Sequence, residues 1–549
     1  MSQTQIDPIR LGVLWQRTVF LMDEVAQTLI QTSFSSVIRE NFDFACVLFD
    51  AKGRLMAQSS VSIPAFCGTV QKTLRYLLAD FPSETLSPGD VLLTNDPDAG
   101  TGHLNDLTFA MPIFRGGDIV GYAANVAHQT DIGGAVSPLA REIFEEGLQI
   151  PPVKILADWH DNRDVFAFLR RNVRDPAGTL GDVRAQIAAL DTQRRKTLAL
   201  LDEQGLDSLD DLADQIIERS AEAMRRKIRE LLPDGVYDAE AFTDGFEDPL
   251  RLKLRITVKD GEVICDYTGS SPQIDKPVNC VLNYTRAYTA YAFKCLLDPE
   301  LPNNDGSFDP IKVIAPEGSI VNPRPPAAVW SRHITGTYLP SVVFGALSGV
   351  LPDRVIADCG SPSWGAYFQA KTERGSRLFL YFMAGGHGGR PGLDGPSCLS
   401  FPTNVQNTSV EETENALPVL VCEKELLPDT GGPGHQRGGL GQRVTFEVQQ
   451  EGVSVAFRHE RVRFAPRGFL GGMDGARGAN LLNGEPVPAK SRLNLRRGDR
   501  LTFLTPGGGG MGDPTERSRA DLAQDVRNGY VDQDSAAKYY GYHGEEQGR

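Results

Sequence analysis

The sequence predicts an α+β (mixed α/β) chain of several lobes, with a helical insertion and a strand-rich C-terminal region. Three observations carry that prediction. Residues 8–32 repeat their apolar positions near a 3.6 period, whereas residues 237–267 alternate as strands do. Residues 165–232 are dense in strong helix formers with helical spacing. From about residue 400 onward, short strand-like runs are separated by Gly-rich loops. At 549 residues, a typical domain of about 150 residues implies roughly three or four units. The pattern divides the chain into 1–180, a helical segment 181–235, a mixed region 236–400, and a strand-rich region 401–549 with a short helical tail.

Each element has its own warrant. In 8–32, Leu11, Leu14, Trp15, Val19, Met22, Val25 and Leu29 form the buried stripe of an amphipathic helix. FDFACVLFDAKGRLMAQ reads as a hairpin about the turn Asp50-Ala51-Lys52-Gly53. A strand over Asp90–Leu93 leads into a polar, Gly-rich segment, 94–106, and a strand over Ile119–Ala127 ends at His128. Two or three helices fill 165–232, closed by Pro233-Asp234-Gly235. Further helices are expected near 285–297 and 338–350, and one or two short helices in the tail, 518–541.

Composition excludes several functions. Lys and Arg number 56 against 71 Asp and Glu, a net charge of −15, which is the wrong sign for binding a phosphate backbone. The eight cysteines are scattered without a CxxC pair, so neither a zinc ribbon nor a disulfide framework is indicated, and a reducing cytoplasm is the expected setting. The N-terminus MSQTQIDPIRLG lacks a basic stretch before an apolar core, and no apolar run approaches the roughly 18 residues of a spanning helix. Gly-Lys never occurs, which removes a Walker-type nucleotide loop. His459-Glu460 fails HExxH because residue 463 is Arg, and GSPSWG at 360–365 misses the G-x-S-x-G elbow by one position. Glycine is in excess, 56 residues, or about a tenth against a usual ~7%. It clusters at 100–102, 133–134, 385–389, 431–441 and 507–512. The last three read as tight turns between strands, with anion-cradling loops as the competing reading.

The first two clusters flank the segment that carries chemistry. His103 and Asp106 lie three apart, as do His128 and Asp131. Imidazole plus carboxylate is the set that zinc, manganese or iron(II) takes in an open catalytic site. There the ion would lower the pKa of a bound water and polarise a carbonyl. The residues alone leave two readings open, a metal centre or two hydrogen-bonded His–Asp pairs.

NDPDAGTGHLND, AHQTDIGG, EEGLQIPPVK, CDYTGSS (265–271), PTNVQNTSVEETE (402–414), PDTGGPGHQRGGLG (428–441) and TPGGGGMGDP (505–514) follow one another along the chain. In this order they resemble the hydantoinase B / 5-oxoprolinase C-terminal family over nearly the whole length. The resemblance implies a B-type subunit of an ATP-dependent cyclic-amide hydrolase. A related subunit of an acetone- or acetophenone-type carboxylase is the alternative, and a non-catalytic scaffold for the ATPase subunit is the third reading. It implies an A-type partner of the sugar-kinase/actin-like class that uses the ATP, in a hetero-oligomer of the (AB)₂ kind. A small cyclic amide would be the substrate, and no nucleic acid or membrane is implied. It also implies a divalent metal, zinc first, with manganese or iron as alternatives, held by Asp43, His103, Asp106 and His128. Asp43 is carried over although Asn41 stands where the family has Arg. His128 is followed by Gln129 where many relatives have a second His. On this reading 1–180 is the metal-binding region, and His103, Asp106 and His128 are catalytic.

The expected chemistry is attack of metal-bound hydroxide on an amide activated by phosphorylation on the partner. Asp96 and Asp131 are expected as competing carboxylates or as partners that fix a histidine tautomer. Glu145 or Glu146 is the candidate general base, with helix capping as the alternative. Arg332 with His333, and His387 with Arg390, are candidates for binding a substrate carboxylate or phosphate.

Overall fold

In the computed structural model, residues 6–135, 139–361, 364–372 and 375–543 are described; Pro362 and Ser363 of the GSPSWG run lie outside them. The first helix, α1 (Pro8–Thr32), spans the stripe read from sequence, capped by the Asp7 carboxylate and started by Pro8. After a single turn, α2 (Ser36–Arg39), come the hairpin β1 (Phe44–Asp50) and β2 (Leu55–Gln58), then α3 (Val70–Asp80) and β3 (Val91–Thr94). The long hairpin β4 (Asp106–Arg115) and β5 (Asp118–His128) follows, then β6 (Val153–Ala157) and β7 (His160–Asp161). These strands form one seven-stranded sheet in the order β2-β1-β5-β4-β3-β6-β7. Strand β4 has no alternating pattern in sequence because its first eight residues are all buried, and a strand covered on both faces has no polar side to show.

Three helices follow, α4 (Arg163–Asn172), α5 (Pro176–Gln204) and α6 (Asp210–Leu231). Helix α5 lies on the first sheet and shares a core with α1 and strands β1, β4 and β5. Its Gln186 Nε2 donates to Leu107 O (3.1 Å) and Gln193 Nε2 to Val47 O (2.8 Å), so buried amides also bind helix to sheet. A second sheet, in the order β11-β10-β9-β8, is made by β8 (Gly235–Thr243), β9 (Leu250–Lys259), β10 (Glu262–Asp266) and, after α7 (Leu282–Leu297) and α8 (Asp305–Phe308), β11 (Ile311–Ile314). Next come α9 (Arg332–Gly336) and α10 (Leu339–Leu347).

The remainder is strand-rich. It comprises β12 (Trp364–Thr372), β13 (Gly375–Met383), α11 (Val410–Ala416), β14 (Val419–Leu426), β15 (Gln442–Val448) and β16 (Val453–Arg458). β17 (Ala479–Leu482), β18 (Glu485–Pro486), β19 (Lys490–Leu495) and β20 (Arg500–Leu504) complete the set. They form two sheets, β13-β12-β16-β19 and β14-β15-β20-β17-β18, packed over one core that includes Phe368, Phe446, Phe457 and Phe503. The tail holds two helices, α12 (Arg519–Arg527) and α13 (Gln533–Tyr540). No helix among the described residues is long and apolar enough to cross a membrane.

The later glycine clusters are for the most part not turns. Gly385, Gly386, Gly388, Gly389, Gly438, Gly439 and 507–510 are absent from the positive-φ positions. They run as extended segments side by side, joined by backbone bonds such as Gly386 N to Pro506 O (2.9 Å), Gly508 N to Gly439 O (2.9 Å) and Gly389 N to Gly509 O (2.8 Å). A Cβ on Gly386 would stand 1.9 Å from Gly439 O, and one on Gly508 2.0 Å from His387 O. The clusters are therefore a bundle in which backbone packs on backbone, and only glycine fits. Gly508→Ala is expected to cost about 3 kcal/mol or more. Gly12→Ala, at an open position in the second turn of α1, is expected to stabilise by about 1 kcal/mol. Urea unfolding of the two variants measures both, and equal stabilities would refute the packing argument.

Candidate metal centre

Strand register builds the centre. Strand β5 lies between β1 and β4, with Asp106 opposite His128 and Phe44 opposite Ala127. Asp43, one residue before β1, accepts His128 N–H on its carbonyl at 3.0 Å. Asp43, His128 and Asp106 thus form a row across three adjacent strand ends, where opposed side chains share a face. His103 comes from the loop before β4, which Asn95 holds by donating to Leu104 O (2.7 Å) and Leu148 O (2.9 Å).

The donor atoms converge. His103 Nε2 lies 2.7 Å and His128 Nδ1 3.1 Å from Asp106 Oδ1, and the two ring nitrogens are 3.2 Å apart. Asp43 Oδ2 is 3.9 Å from His128 Nδ1. His103, Asp106 and His128 form a buried group whose ligand atoms all lie within 4.8 Å of one another. Three basic atoms facing one point, with a fourth beside them, fit a divalent cation, and the nitrogen and oxygen donors suit zinc, manganese or iron(II).

Arg332, the first residue of α9, locks the group from behind. Its Nη2 donates to Asp106 Oδ2 (2.8 Å), its Nη1 lies 2.8 Å from His103 Nδ1, and its Nε donates to Thr101 O (2.8 Å). Thr101 Oγ1 also donates to Asp106 Oδ2. Gly102 makes room for this, because a Cβ there would stand 2.9 Å from Val281 Cγ2 and 3.2 Å from Arg332 Cδ. Arg332, a candidate binder of substrate anions, has both terminal nitrogens engaged within the centre. His103 Nδ1 also lies 3.1 Å from Trp330 O. A proton on Nδ1 bonded to that carbonyl leaves the Nε2 lone pair free for a metal; with Arg332 donating instead, Nε2 carries the proton and donates to Asp106.

Electrostatics follow from burial and these partners. Burial, then the Arg332 charge, hold His103 down to about 4, so its imidazole is neutral. Burial works to raise Asp106, but His103, Arg332 and the two histidine hydrogen bonds outweigh it and hold the carboxyl well below the usual range. Burial pushes Asp43 up to about 6 against the pull of His128. A cavity of about 70 Å³ opens on the centre, lined by Asp43, His103, His128 and Arg332 and walled by Tyr288, Trp330, Tyr367, Leu380 and Phe382.

The other predicted residues have separate places. Asp131 receives Gly133 N–H (2.9 Å) and Arg174 Nη1 (2.6 Å), and Asp96 caps its own turn through Asp98 and Ala99 N–H (2.9 and 3.0 Å). Glu145 closes a capping box with Glu142. Glu146 is buried, its Oε1 accepting Val329 and Trp330 N–H at 2.9 Å each, so it positions the segment that carries Trp330 and Arg332. His387 lies in the glycine bundle, its Nδ1 2.7 Å from Gly388 O, and Arg390 reaches Asp394 O (3.3 Å). His459 is 2.7 Å from Asn480 Oδ1 and stacks on Trp364. His333 lines the cavity. Sequence reading missed Trp330, in the loop two residues before Arg332, and Tyr367 and Arg458, which strand placement brings to the cavity.

Fold and centre together define a multi-sheet α+β protein with a buried cluster of two histidines and a carboxylate, and a half-buried second carboxylate beside it. The chain belongs to the Hydantoinase B/oxoprolinase family, which it matches over residues 7–514. It is 29% identical over 568 residues to the caprolactamase subunit beta of Pseudomonas jessenii, covering 98% of this chain and 96% of that one. It is 30% identical over 527 residues to the 5-oxoprolinase of Dictyostelium discoideum, covering 93% of this chain but 40% of that protein. The crystal structure of the ATP-dependent caprolactamase from Pseudomonas jessenii superposes with a TM-score of 0.90 at 27% identity, covering 100% of this chain and 98% of that one.

Burial pushes the Glu146 carboxyl from 4.5 up to about 7, against the two N–H donors of Trp330 and Val329. Such an acid holds more protons folded than unfolded, so its contribution to stability falls as pH rises from about 4.5 through about 7. Glu146→Gln keeps an acceptor for both N–H groups and removes the ionisation. The stability of E146Q relative to the wild type is expected to rise by about 3 kcal/mol across that window. Urea unfolding at a series of pH values checks this; a constant difference would mean that the fold does not perturb Glu146.

Proposed function

We propose that this chain is the B-type subunit of an ATP-dependent cyclic-amide hydrolase, acting on a lactam or hydantoin ring that a partner has activated. The observation that carries the reading is the convergence of His103, Asp106 and His128 at the end of a largely apolar cavity. It occurs in a chain that matches a caprolactamase beta subunit end to end. A subunit named beta supports a hetero-oligomer. The 5-oxoprolinase, of which this chain spans 40%, has room in one polypeptide for an A-type part as well. The absence of a Gly-Lys dipeptide fits ATP use on that partner. Eight unpaired cysteines fit a cytoplasmic setting.

An amide resists water because resonance makes its carbonyl a poor electrophile. Phosphorylation of the carbonyl oxygen makes the carbon a better electrophile. Water adds there, and the ring C–N bond breaks as the added water's proton passes to the departing nitrogen. A second water cleaves the resulting acyl phosphate to carboxylate and phosphate. A divalent ion, zinc first, held by Asp43, His103, Asp106 and His128, would supply Lewis acidity and lower the pKa of water. The chain's own residues prepare the place. Arg332 keeps Asp106 ionised and offsets its charge. The Trp330 carbonyl sets the His103 ring, and Glu146 holds Trp330. Tyr288, Leu380 and Phe382 present an apolar wall suited to a ring and exclude bulk water.

Reconstitution with the A-type partner and ATP tests the reading. Ring opening without bicarbonate is expected, and strict dependence on bicarbonate with a ketone would replace it by a carboxylase. His103→Ala and His128→Ala are each expected to abolish ring opening and lower bound metal measured by elemental analysis, while ATP use by the partner persists in part. A variant that keeps full activity is not a ligand.

A further inference from the structure

Among the described residues five arginines are buried, Arg332, Arg437, Arg458, Arg461 and Arg517, each with 6% or less exposed. Four have a carboxylate. Arg332 meets Asp106 at 2.8 Å, Arg437 meets Asp525 and Arg461 meets Asp358 at 3.3 Å each, and Arg517 meets Asp394 and Asp525 at 2.7 Å each. Arg458 has none. It ends β16 and lines the same cavity as Asp43, His103 and His128. Its guanidinium lies 4.4 Å from the Trp330 ring centroid and 5.9 Å from that of Tyr367, and its enclosed Nη1 has no hydrogen-bond partner. Glu146 acts on it only through space, because the Glu146 oxygens are bonded to Val329 and Trp330 N–H.

A buried, unpaired guanidinium is costly to keep, and aromatic faces offset only part of that cost. The cost falls when a ligand brings an oxyanion, which the planar fork can grip through two donors. We propose that Arg458 is the oxyanion subsite of this cavity and binds the phosphoryl group of the activated amide. The inference rests on the reading that the amide arrives phosphorylated. A substrate carboxylate shares the chemistry, but only some cyclic amides carry one, whereas every amide activated this way carries the phosphoryl group. One residue ties the two ends of the cavity together: the Trp330 carbonyl faces His103 Nδ1 (3.1 Å) while its ring lies on Arg458.

The test uses the full-length chain with a chelator present, so that no metal supplies the anion contact. Inorganic phosphate and acetate are the probes, followed by calorimetric titration and by melting temperature. Wild type is expected to bind phosphate more tightly than acetate. Arg458→Met is expected to weaken phosphate at least tenfold with an unchanged or higher melting temperature, because an apolar side chain replaces an unpaired charge. Arg458→Lys, which keeps the charge and loses the fork, should fall between them. Equal phosphate affinity in wild type and R458M overturns the proposal. Tighter binding of acetate, lost in R458M, would make the site a carboxylate subsite instead. A lower melting temperature in R458M, unrelieved in R458K, would make Arg458 structural.

Single-turnover ring opening with the A-type partner separates this inference from the hydrolase reading. Equal ring opening in wild type and R458M sinks the subsite and leaves the hydrolase. Arg458-dependent phosphate binding in a complex that opens no cyclic amide keeps the oxyanion site but sinks the hydrolase reading, and with it the assignment of the site to an activated amide.

Discussion

The buried ion pair between Asp106 and Arg332 is the constraint around which the rest of the centre is arranged. The partners lie in separate parts of the chain, one at the first position of β4 and the other at the first position of α9, and meet at 2.8 Å with almost no exposure. Burying two charges repays its desolvation only when every remaining donor and acceptor is matched. The surroundings go far toward that condition. Thr101 supplies both a hydroxyl to Asp106 and a carbonyl to Arg332. His103 Nδ1 faces Nη1, and the Tyr284 ring lies 4.6 Å from the guanidinium carbon. Gly102 clears the path, and Glu146 anchors the backbone just before α9.

That arrangement gives the cavity two ends of opposite demand. At one end, two carboxylates and two imidazoles meet a single buried arginine, and their donor atoms converge. At the other end, a second buried arginine has aromatic rings but no carboxylate. Placing Arg332 on Asp106 Oδ2 leaves Oδ1 to the two histidines, so the pair orients the carboxylate as well as charging it. A substrate that is apolar in its ring and anionic at its activated oxygen complements both ends and the wall between them.

Much of this was legible in the sequence, for identifiable reasons. Helix α1, the β1–β2 hairpin, β5, the three helices of 163–231 and the tail helices carry clear periodicity or turn residues, so local pattern sufficed. The pairs His103/Asp106 and His128/Asp131 drew attention to the right segment through spacing. Spacing could not tell Asp131, which binds Arg174, from Asp106, because that choice is made by the register of β4 against β5. Asp43 came from resemblance, and its place beside His128 depends on the pairing of β1 with β5. Strand β4 was hidden because it is buried on both faces. Arg332 reads in sequence as an anion binder, but its carboxylate partner, Asp106, lies in another part of the chain. Arg458 gave no signal, since an arginine at a strand end is ordinary until the fold shows that nothing neutralises it.

The glycine clusters show why a composition anomaly can bear on a site it does not touch. One of their segments continues directly from a strand that walls the cavity: β13 runs through Leu380 and Phe382 to Met383 and enters Gly385–Gly389, and it meets there the segment 507–510 that follows β20. Backbone packed on backbone has no rotamers to rearrange, and hydrogen bonds join the segments along their length. A wall fixed in this way cannot relax by repacking side chains, as an ordinary core can. Tyr367, one of the two rings beside Arg458, pairs with Leu380 of that fixed strand, so the constraint reaches the Arg458 end of the cavity. A cavity that must accept a ring, expel water and hold one oxyanion against one carbon needs that fixity more than it needs adaptable side chains.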